Sequence, residues 1–438
     1  MQDNKIAGRI VFLVHYFPPI NSSGAKRVEA LSKYLARMGR TVTVITTRKS
    51  AVDGAFTEAF PPGIQVLQLN WLGRAGDSRP GGRQYEPMFS GKPSPARRLK
   101  GWVTACFGQI PDPRIPFALS LMSPFLDGKA RRALASADVV IGSSPPWPML
   151  LAAVLVRARF GKPIVLDYRD QFSECHGWPG SRAAKFVERA IDRALAGRAC
   201  ALVTVSQPMA GYYSAFARRV SVIMNGYDPE AIATARAGAA RSTTADRPLV
   251  IRYLGWITPS RVPMDLLRAI QALEGKGLLD ASRLRFEVFG TGALLRAVLE
   301  KDFPDLLCRF HFEKAVPYRD ALRLMAGADH LLFAETSSRE SVSAQGILTT
   351  KLFEYLAIGR PILADISPDT VIGGMIAKAG THHFVSNLQS EFERYLQDRA
   401  FWEPGEPGES PFVKTLSRAA QAADYAALLD EVCAGARR

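Results

Sequence analysis

A chain of 438 residues with 47% hydrophobic and 22% charged residues has the length for two full-sized cores and the balance of a soluble globular protein. Its apolar runs, IVFLV and WPMLLAAVLV, fall short of the ~18 residues a membrane span needs, and Ile10–Val14 is too brief for the h-region of a secretory signal. The five cysteines, at 106, 175, 200, 308 and 433, are odd in number and never spaced C-x-x-C; this argues against a disulfide framework or zinc site and fits a reducing cytoplasm.

The net charge of +15 is unevenly spread. Residues 1–228 hold 31 Lys and Arg against 15 Asp and Glu, whereas residues 229–438 hold 25 against 26. The whole excess therefore belongs to the N-terminal half. Such asymmetry predicts an anionic partner for that half: a membrane surface, a phosphorylated lipid or a nucleic acid. A basic surface that merely aids solubility is the plainer account.

In chain order, RIVFLV (9–14) reads as a parallel strand buried on both faces. The loop HYFPPINSSG follows, then a helix with Val28, Leu31, Leu35 and Met38 at helical spacing and Ser22 or Ser23 as its N-cap. Gly39 ends that helix and TVTVIT (41–46) is the next strand, completing a βαβ unit and predicting a doubly wound sheet. Further strands are expected at Ile64–Leu69, Asp138–Gly142, Pro163–Asp167 and Leu202–Val205. The pattern resets at SVIMNGYD, where an Asn-Gly turn and a stretch without apolar period mark a domain boundary. A second α/β series runs through VIRYLG (250–255), RFEVFGTG (285–292), Arg309–Phe312, HLLFAE (330–335) and PILAD (361–365). An amphipathic helix from Ser417 to Val432 closes the chain. The expected division is 1–228, 229–415, and a C-terminal helix in 416–438 that packs back on the first domain. Two doubly wound domains facing across a cleft would bind ligand at the strand C-termini.

GILTTKLFEYLAIGRPILA (346–364) is the most informative stretch. It sets Lys351 and Glu354 on the first turns of a short helix that stops at Gly359, a residue type suited to a left-handed cap. A carboxylate there can accept both hydroxyls of a ribose, and a helix N-terminus attracts phosphate. An ordinary amphipathic helix with one exposed Glu and one exposed Lys is the bland alternative.

With these pieces in order, the chain resembles a GT-B fold glycosyltransferase, and more narrowly family 4, the large retaining group. The resemblance rests on HYFPPINSSGAKRVEALSKYLARMGRTVTVIT, SSPPWPMLLAAVLVRARFGKPIVLDYRDQF, VTVSQPM with VIMNGYD, YLG, and GILTTKLFEYLAIGRPILA. It implies two Rossmann-like domains, the N-terminal one for the acceptor and the C-terminal one for a nucleotide-sugar donor. It also implies that Glu354 holds the ribose hydroxyls and that Arg261, in GWITPSR, neutralises the donor diphosphate. Lys351 is a second cation within reach of the phosphates, with Thr350 beside it at the helix start. Gly290 and Gly292 let backbone approach the nucleotide, although a tight turn is the commoner meaning of G-x-G. The loop containing Ser23 and Gly24 would present N–H groups to the pyrophosphate. Arg27 either adds charge there or is a solvated helix residue. One departure stands out: the family's first Glu, eight positions before Glu354, is Gly346 here, and Glu335 and Glu340 lie at other spacings. Subgroups with the same K-x-x-E-Y pattern also lack it.

No D-x-D triplet occurs, so Arg261, Lys351 and helix dipoles are expected to meet the leaving-group charge without a metal or other cofactor. Asp170 in DYRDQF and His15 each follow a strand and are candidates for catalytic support, with Arg169 beside Asp170 on the acceptor side. An ion pair with Arg169 or a helix cap is the alternative for Asp170. For His15 the alternative is packing beside Tyr16 and Phe17. His176 beside Cys175 has no partners at ligand spacing and is set aside as a metal pair. RRLKGWVTACF (97–107) reads as a basic helix carrying Trp102, suited either to a membrane interface or to a core; Trp102 is a third acceptor-side candidate. The expected partners are a UDP- or GDP-linked sugar, a lipid-linked or glycan acceptor and an anionic membrane surface, with no nucleic acid. The expected enzyme is a retaining, hexosyltransferase-type catalyst of surface polysaccharide or glycoconjugate synthesis, cytoplasmic and peripheral to the membrane. A nucleotide-sugar epimerase of the same fold and a non-catalytic nucleotide-binding relative are the alternatives. A nucleic-acid-binding protein ranks lower, because no helix-turn-helix, zinc-finger or RNA-binding sheet signature appears.

Overall fold

The computed structural model describes residues 7–20, 23–49, 59–69, 107–175, 180–239, 247–335, 346, 348–403 and 410–436. They divide into two compact units. Described residues up to Asn225, together with Gly346 and those from Arg418 onward, belong to the first, and those of 226–335 and 348–417 to the second.

The first unit is built on a seven-stranded parallel sheet: β1 Arg9–Val14, β2 Thr41–Thr47, β3 Gln65–Leu69, β4 Val139–Ser144, β5 Ile164–Tyr168, β6 Ala201–Thr204 and β7 Val220–Val222. Its order is β3-β2-β1-β4-β5-β6-β7. Side chains alternate across this sheet, as the two-residue period of a strand requires. Val11 and Leu13 join Val140 and Leu166 in one core, under the helices Ile115–Ser120, Gly128–Ser136 and Pro148–Phe160. Ile10, Phe12 and Val14 point to the opposite core, where the helix Ser23–Arg37 and the C-terminal helix Arg418–Gly435 pack. The latter is held to the start of β1 by Asp430, which accepts from Ala7 N at 2.7 Å and from both terminal nitrogens of Arg40 at 2.8 Å.

Two expectations are corrected. Met38, read as a core position, falls beyond the helix end at Arg37 and is 42% exposed. Ser23 is the first residue of that helix, and the other N-cap candidate, Ser22, lies outside the described residues.

The second unit carries a six-stranded parallel sheet: β8 Leu249–Trp256, β9 Leu284–Thr291, β10 Phe310–Glu313, β11 His330–Ala334, β12 Ile362–Asp365 and β13 Phe384–Ser386. The order is β10-β9-β8-β11-β12-β13. β7 and β13, at three residues each, are too short to give a periodic signal and do not stand out in the sequence.

At the C-terminal edge of this sheet, Gly255 of β8 lies opposite Gly290 of β9, and both have positive φ, +129° and +124°. A Cβ on Gly290 would collide with the carbonyl oxygen of Gly255. Gly290→Ala is therefore expected to cost roughly 1–3 kcal/mol, read by urea unfolding. Gly374→Ala is the control: it sits inside the helix Val371–Ala379 where a Cβ meets nothing within 4 Å, so it should stabilise slightly.

Candidate functional site

The C-terminal edge of the second sheet gathers most of the residues expected to handle a donor. After β8 the chain makes a short turn, Pro259–Arg261, and after β11 comes Glu335. Arg261 Nε donates to Glu335 Oε1 at 2.7 Å, with the Arg side chain 26% and the Glu side chain 2% exposed. The helix Thr350–Ile358 begins at the same edge and ends at Gly359 in the left-handed conformation, φ +75°. Its second turn carries Glu354, which is buried. Tyr355 ties the helix to β8, its hydroxyl accepting from Leu254 N at 3.1 Å.

Lys351 lies with its Nζ 3.9 Å from the centroid of the Tyr253 ring and 5.0 Å from that of Phe333. Burial among these rings pushes its ammonium down to about 7. The carboxylates of Glu335 and Glu354 pull it back up and Arg261 pushes it further down. Two cations and two carboxylates thus interact around the start of one helix. Thr349 precedes that helix with extended backbone, caps none of its N–H groups, and has a buried hydroxyl without a hydrogen-bond partner. A helix start left uncapped, beside two cations, is chemically equipped for a phosphate.

Sequence reasoning missed Glu335, Tyr253 and Thr349 in this cluster. In the sequence Glu335 stands at the wrong spacing for the family's first Glu, and its ion pair is with a residue 74 positions away. Gly290 and Gly292 stand at the same edge, but each has a packing reason to be glycine. Gly290 faces Gly255, and a Cβ on Gly292 would strike the Phe312 ring.

In the first unit the expected acceptor residues meet different surroundings. Arg169 is buried after β5 and spends its guanidinium on main-chain carbonyls: Ser144 at 3.0 Å, Pro145 at 2.6 Å, and Gly24. Its burial lowers its pKa, while Asp170 and Asp167 oppose that shift. Gly24 lies in the first turn of the helix Ser23–Arg37 and not in a loop, and a Cβ on it would lie 3.1 Å from Arg169 Nη1, so this small residue makes room for the clamp. Ser23 opens the helix behind it. Asp170 is exposed beside this edge.

His15 is fully buried at the end of β1, its Nδ1 2.6 Å from Thr47 Oγ1 and its ring edge-on to Tyr16 at 4.9 Å. Its carbonyl accepts from the buried ammonium of Lys49. His15 is thus enclosed on all sides in the described conformation. Arg27 is neither a solvated residue nor an available phosphate cation. It is buried and paired with Asp167 through Nη2 at 2.9 Å, and Asp167 also accepts from Ser143 Oγ at 2.7 Å. Trp102, the rest of the 97–106 stretch and His176 lie outside the described residues. Among the described residues, no group of three or more His, Cys, Asp or Glu is arranged to hold a metal, and no helix is long and apolar enough to cross a membrane.

Comparison with known proteins adds a domain match in the first half of the chain and a fold. Residues 24–226 match the model of the glycosyl transferase 4-like domain. No curated protein sequence matches the chain significantly. Sucrose-phosphate synthase (tll1590) from Thermosynechococcus elongatus shares the fold with a TM-score of 0.60 at 13% identity, over 98% of this chain and 99% of that one. The E. coli trehalose-6-phosphate protein bound with UDP-2-fluoro glucose gives 0.57 at 12%, over 98% and 97%. UDP-GlcNAc 2-epimerase from Methanocaldococcus jannaschii gives 0.50 at 10%, over 96% and 98%. At these identities the likeness is one of fold: two Rossmann-like units of the GT-B type.

Proposed function

We propose, from a chain that carries a glycosyl transferase 4-like domain on a GT-B fold, that it is a glycosyltransferase using a nucleotide-diphosphate sugar. The observation that carries this reading is the cluster of Arg261, Glu335, Lys351 and Glu354 at the uncapped start of the helix Thr350–Ile358. In it Glu354 takes the ribose hydroxyls. Arg261, Lys351 and the helix start receive the diphosphate, with Thr350 and the Thr349 hydroxyl close by, and backbone at Gly290 and Gly292 flanks the nucleotide. As the bond from the anomeric carbon to the diphosphate oxygen breaks, charge grows on that oxygen, and these cations and N–H groups stabilise it without requiring a metal. The new bond forms to the acceptor hydroxyl, whose proton leaves with the diphosphate. Retention of anomeric configuration follows from the family resemblance. The basic first unit supports a lipid-linked or glycan acceptor, with Asp170 the exposed carboxylate that would orient its hydroxyl. Such an enzyme would act in polysaccharide or glycoconjugate synthesis at the cytoplasmic membrane face.

Lys351 makes this reading pH-sensitive. Its folded pKa, about 7, lies below the 10.5 of an exposed lysine, so between those values the unfolded chain holds the extra proton and stability rises with pH. An arriving diphosphate reverses the local balance and re-protonates Nζ. Nucleotide binding at pH 8 is expected to take up close to one proton, seen by calorimetry in buffers of different ionisation enthalpy. Affinity should fall as pH rises above about 7. In Lys351→Met both effects should vanish; uptake persisting in that variant would remove Lys351 from the site.

An epimerase is the second reading, favoured by the likeness to the 2-epimerase fold. The two separate in one assay, in which nucleotide sugars are incubated with and without a membrane lipid extract. Acceptor-dependent release of nucleoside diphosphate supports transfer. Acceptor-independent conversion of one nucleotide sugar into its epimer supports the alternative.

A further inference from the structure

The helix Arg182–Ala196 in the first unit is built inside out. Its buried positions include two carboxylates, Glu188 and Asp192, both fully enclosed. Asp192 accepts from the hydroxyls of Tyr168 at 2.9 Å and Tyr213 at 3.2 Å, and from Ser173 Oγ at 2.8 Å and Ser173 N at 3.2 Å. Glu188 accepts from Gln109 N at 2.5 Å and Lys185 Nζ at 2.6 Å. These bonds satisfy the buried charges, as burial demands, and they grip the segment after β5 that carries Arg169 and Asp170.

The outward face is the inverse. Phe186 is 73% and Val187 46% exposed. The helix's exposed charged residues are all arginines: Arg182, Arg189 and Arg193. Arg182, Phe186, Arg189 and Arg193 follow one another at spacings of four, three and four, so they share a single stripe. Arg189 also meets Glu174, itself largely covered, at 2.6 Å. Phe107, 51% exposed, neighbours the Gly108–Gln109 backbone that contacts Glu188. A stripe of arginines and apolar side chains, with every acid of the helix turned inward, is complementary to the headgroups and acyl boundary of an anionic bilayer.

We propose that the outward face of the helix Arg182–Ala196 is a docking surface for an anionic lipid bilayer. It would bring the edge bearing Asp170 to a membrane-borne acceptor, and for that purpose it rests on the reading of a lipid-linked acceptor above. The mode is interfacial, with the aromatic and aliphatic groups seated among headgroups while the arginines meet lipid phosphate.

The test is co-sedimentation of the whole chain with phosphatidylglycerol vesicles and with phosphatidylcholine vesicles at low salt, alongside calorimetric titration of nucleotides. The expected result is binding to phosphatidylglycerol alone. It should weaken about fivefold for each arginine removed, so roughly 25-fold in Arg182→Ser/Arg193→Ser, and to a similar degree in Phe186→Ser/Val187→Ser. All four positions are exposed, so thermal melting and nucleotide binding should match wild type, which separates a failure of this surface from a failure of the donor site. Equal binding to both vesicle types, unchanged binding in the variants, or a wild-type dimer that Phe186→Ser/Val187→Ser turns into a monomer would overturn the proposal. Vesicle binding that persists in a chain binding no nucleotide would uphold the surface and defeat the transferase reading instead.

Discussion

Glu354→Ala is expected to weaken the binding of the preferred nucleoside diphosphate by two orders of magnitude or more while leaving the fold intact. Glu354 is buried on the second turn of the helix Thr350–Ile358 and interacts electrostatically with Lys351. Hydrogen bonds from two ribose hydroxyls to a carboxylate are worth about 1.5–3 kcal/mol each, so losing both costs a factor of roughly 150 at the low end. Alanine favours the helix, so the thermal midpoint should hold. The sharper form of the experiment uses a double-mutant logic with UDP and its 2′-deoxy analogue. Wild type should discriminate strongly between them, and Glu354→Ala should not. If wild type binds both equally, Glu354 is a helix residue with no part in ribose recognition.

The second large effect is on stability. Arg27→Met is expected to cost about 3–5 kcal/mol, because it strands the carboxylate of Asp167 in the interior without its cation. Asp167 is fully buried and Arg27 is 6% exposed. The pair links the helix Ser23–Arg37 to β5, and Arg27 Nη1 reaches onward to the carbonyl of Met224 at 2.7 Å. Asp167→Leu should cost a similar amount, and combining the two should recover part of the loss, since both buried charges are then gone. Hydrogen exchange reads this unit by unit: protection of β1 and β4–β6 should fall, and that of β8–β12 should not. Unchanged protection with weakened nucleotide affinity would return Arg27 to the phosphate role considered from sequence.

What was legible in the sequence follows from local physics. Continuous apolar runs such as RIVFLV and PILAD are strands because a parallel sheet covered on both faces needs them; the first matches its strand residue for residue and the second begins one residue early. Gly359 announces its own cap. The close spacing of Lys351 and Glu354 on one short helix is a local fact, and so survives into the folded chain. The rest depends on tertiary partners. Glu335 acquires meaning only when β8 and β11 lie side by side and bring Arg261 to it. Tyr253 becomes a platform for Lys351 only when the helix Thr350–Ile358 packs against β8. Arg169, next to a promising Asp170, turns out to hold three carbonyls, those of Ser144 and Pro145 at the end of β4 and that of Gly24 in the first turn of the helix Ser23–Arg37. The helix Arg182–Ala196 defeats ordinary polarity reasoning altogether, because its buried Asp192 is satisfied by tyrosine and serine hydroxyls from β5, from the segment after it and from the helix Gln207–Ser214, and its buried Glu188 by Gln109 N and Lys185 Nζ.

The most direct test of the central claim is a crystal structure of the chain with its preferred nucleoside diphosphate. The account predicts the ribose hydroxyls on Glu354, the diphosphate at the start of the helix Thr350–Ile358 within reach of Lys351, and Arg261 shared between Glu335 and phosphate oxygen. A nucleotide bound in the first unit, or one in the second unit with its ribose away from Glu354 and Arg261 still committed to Glu335 alone, would contradict it.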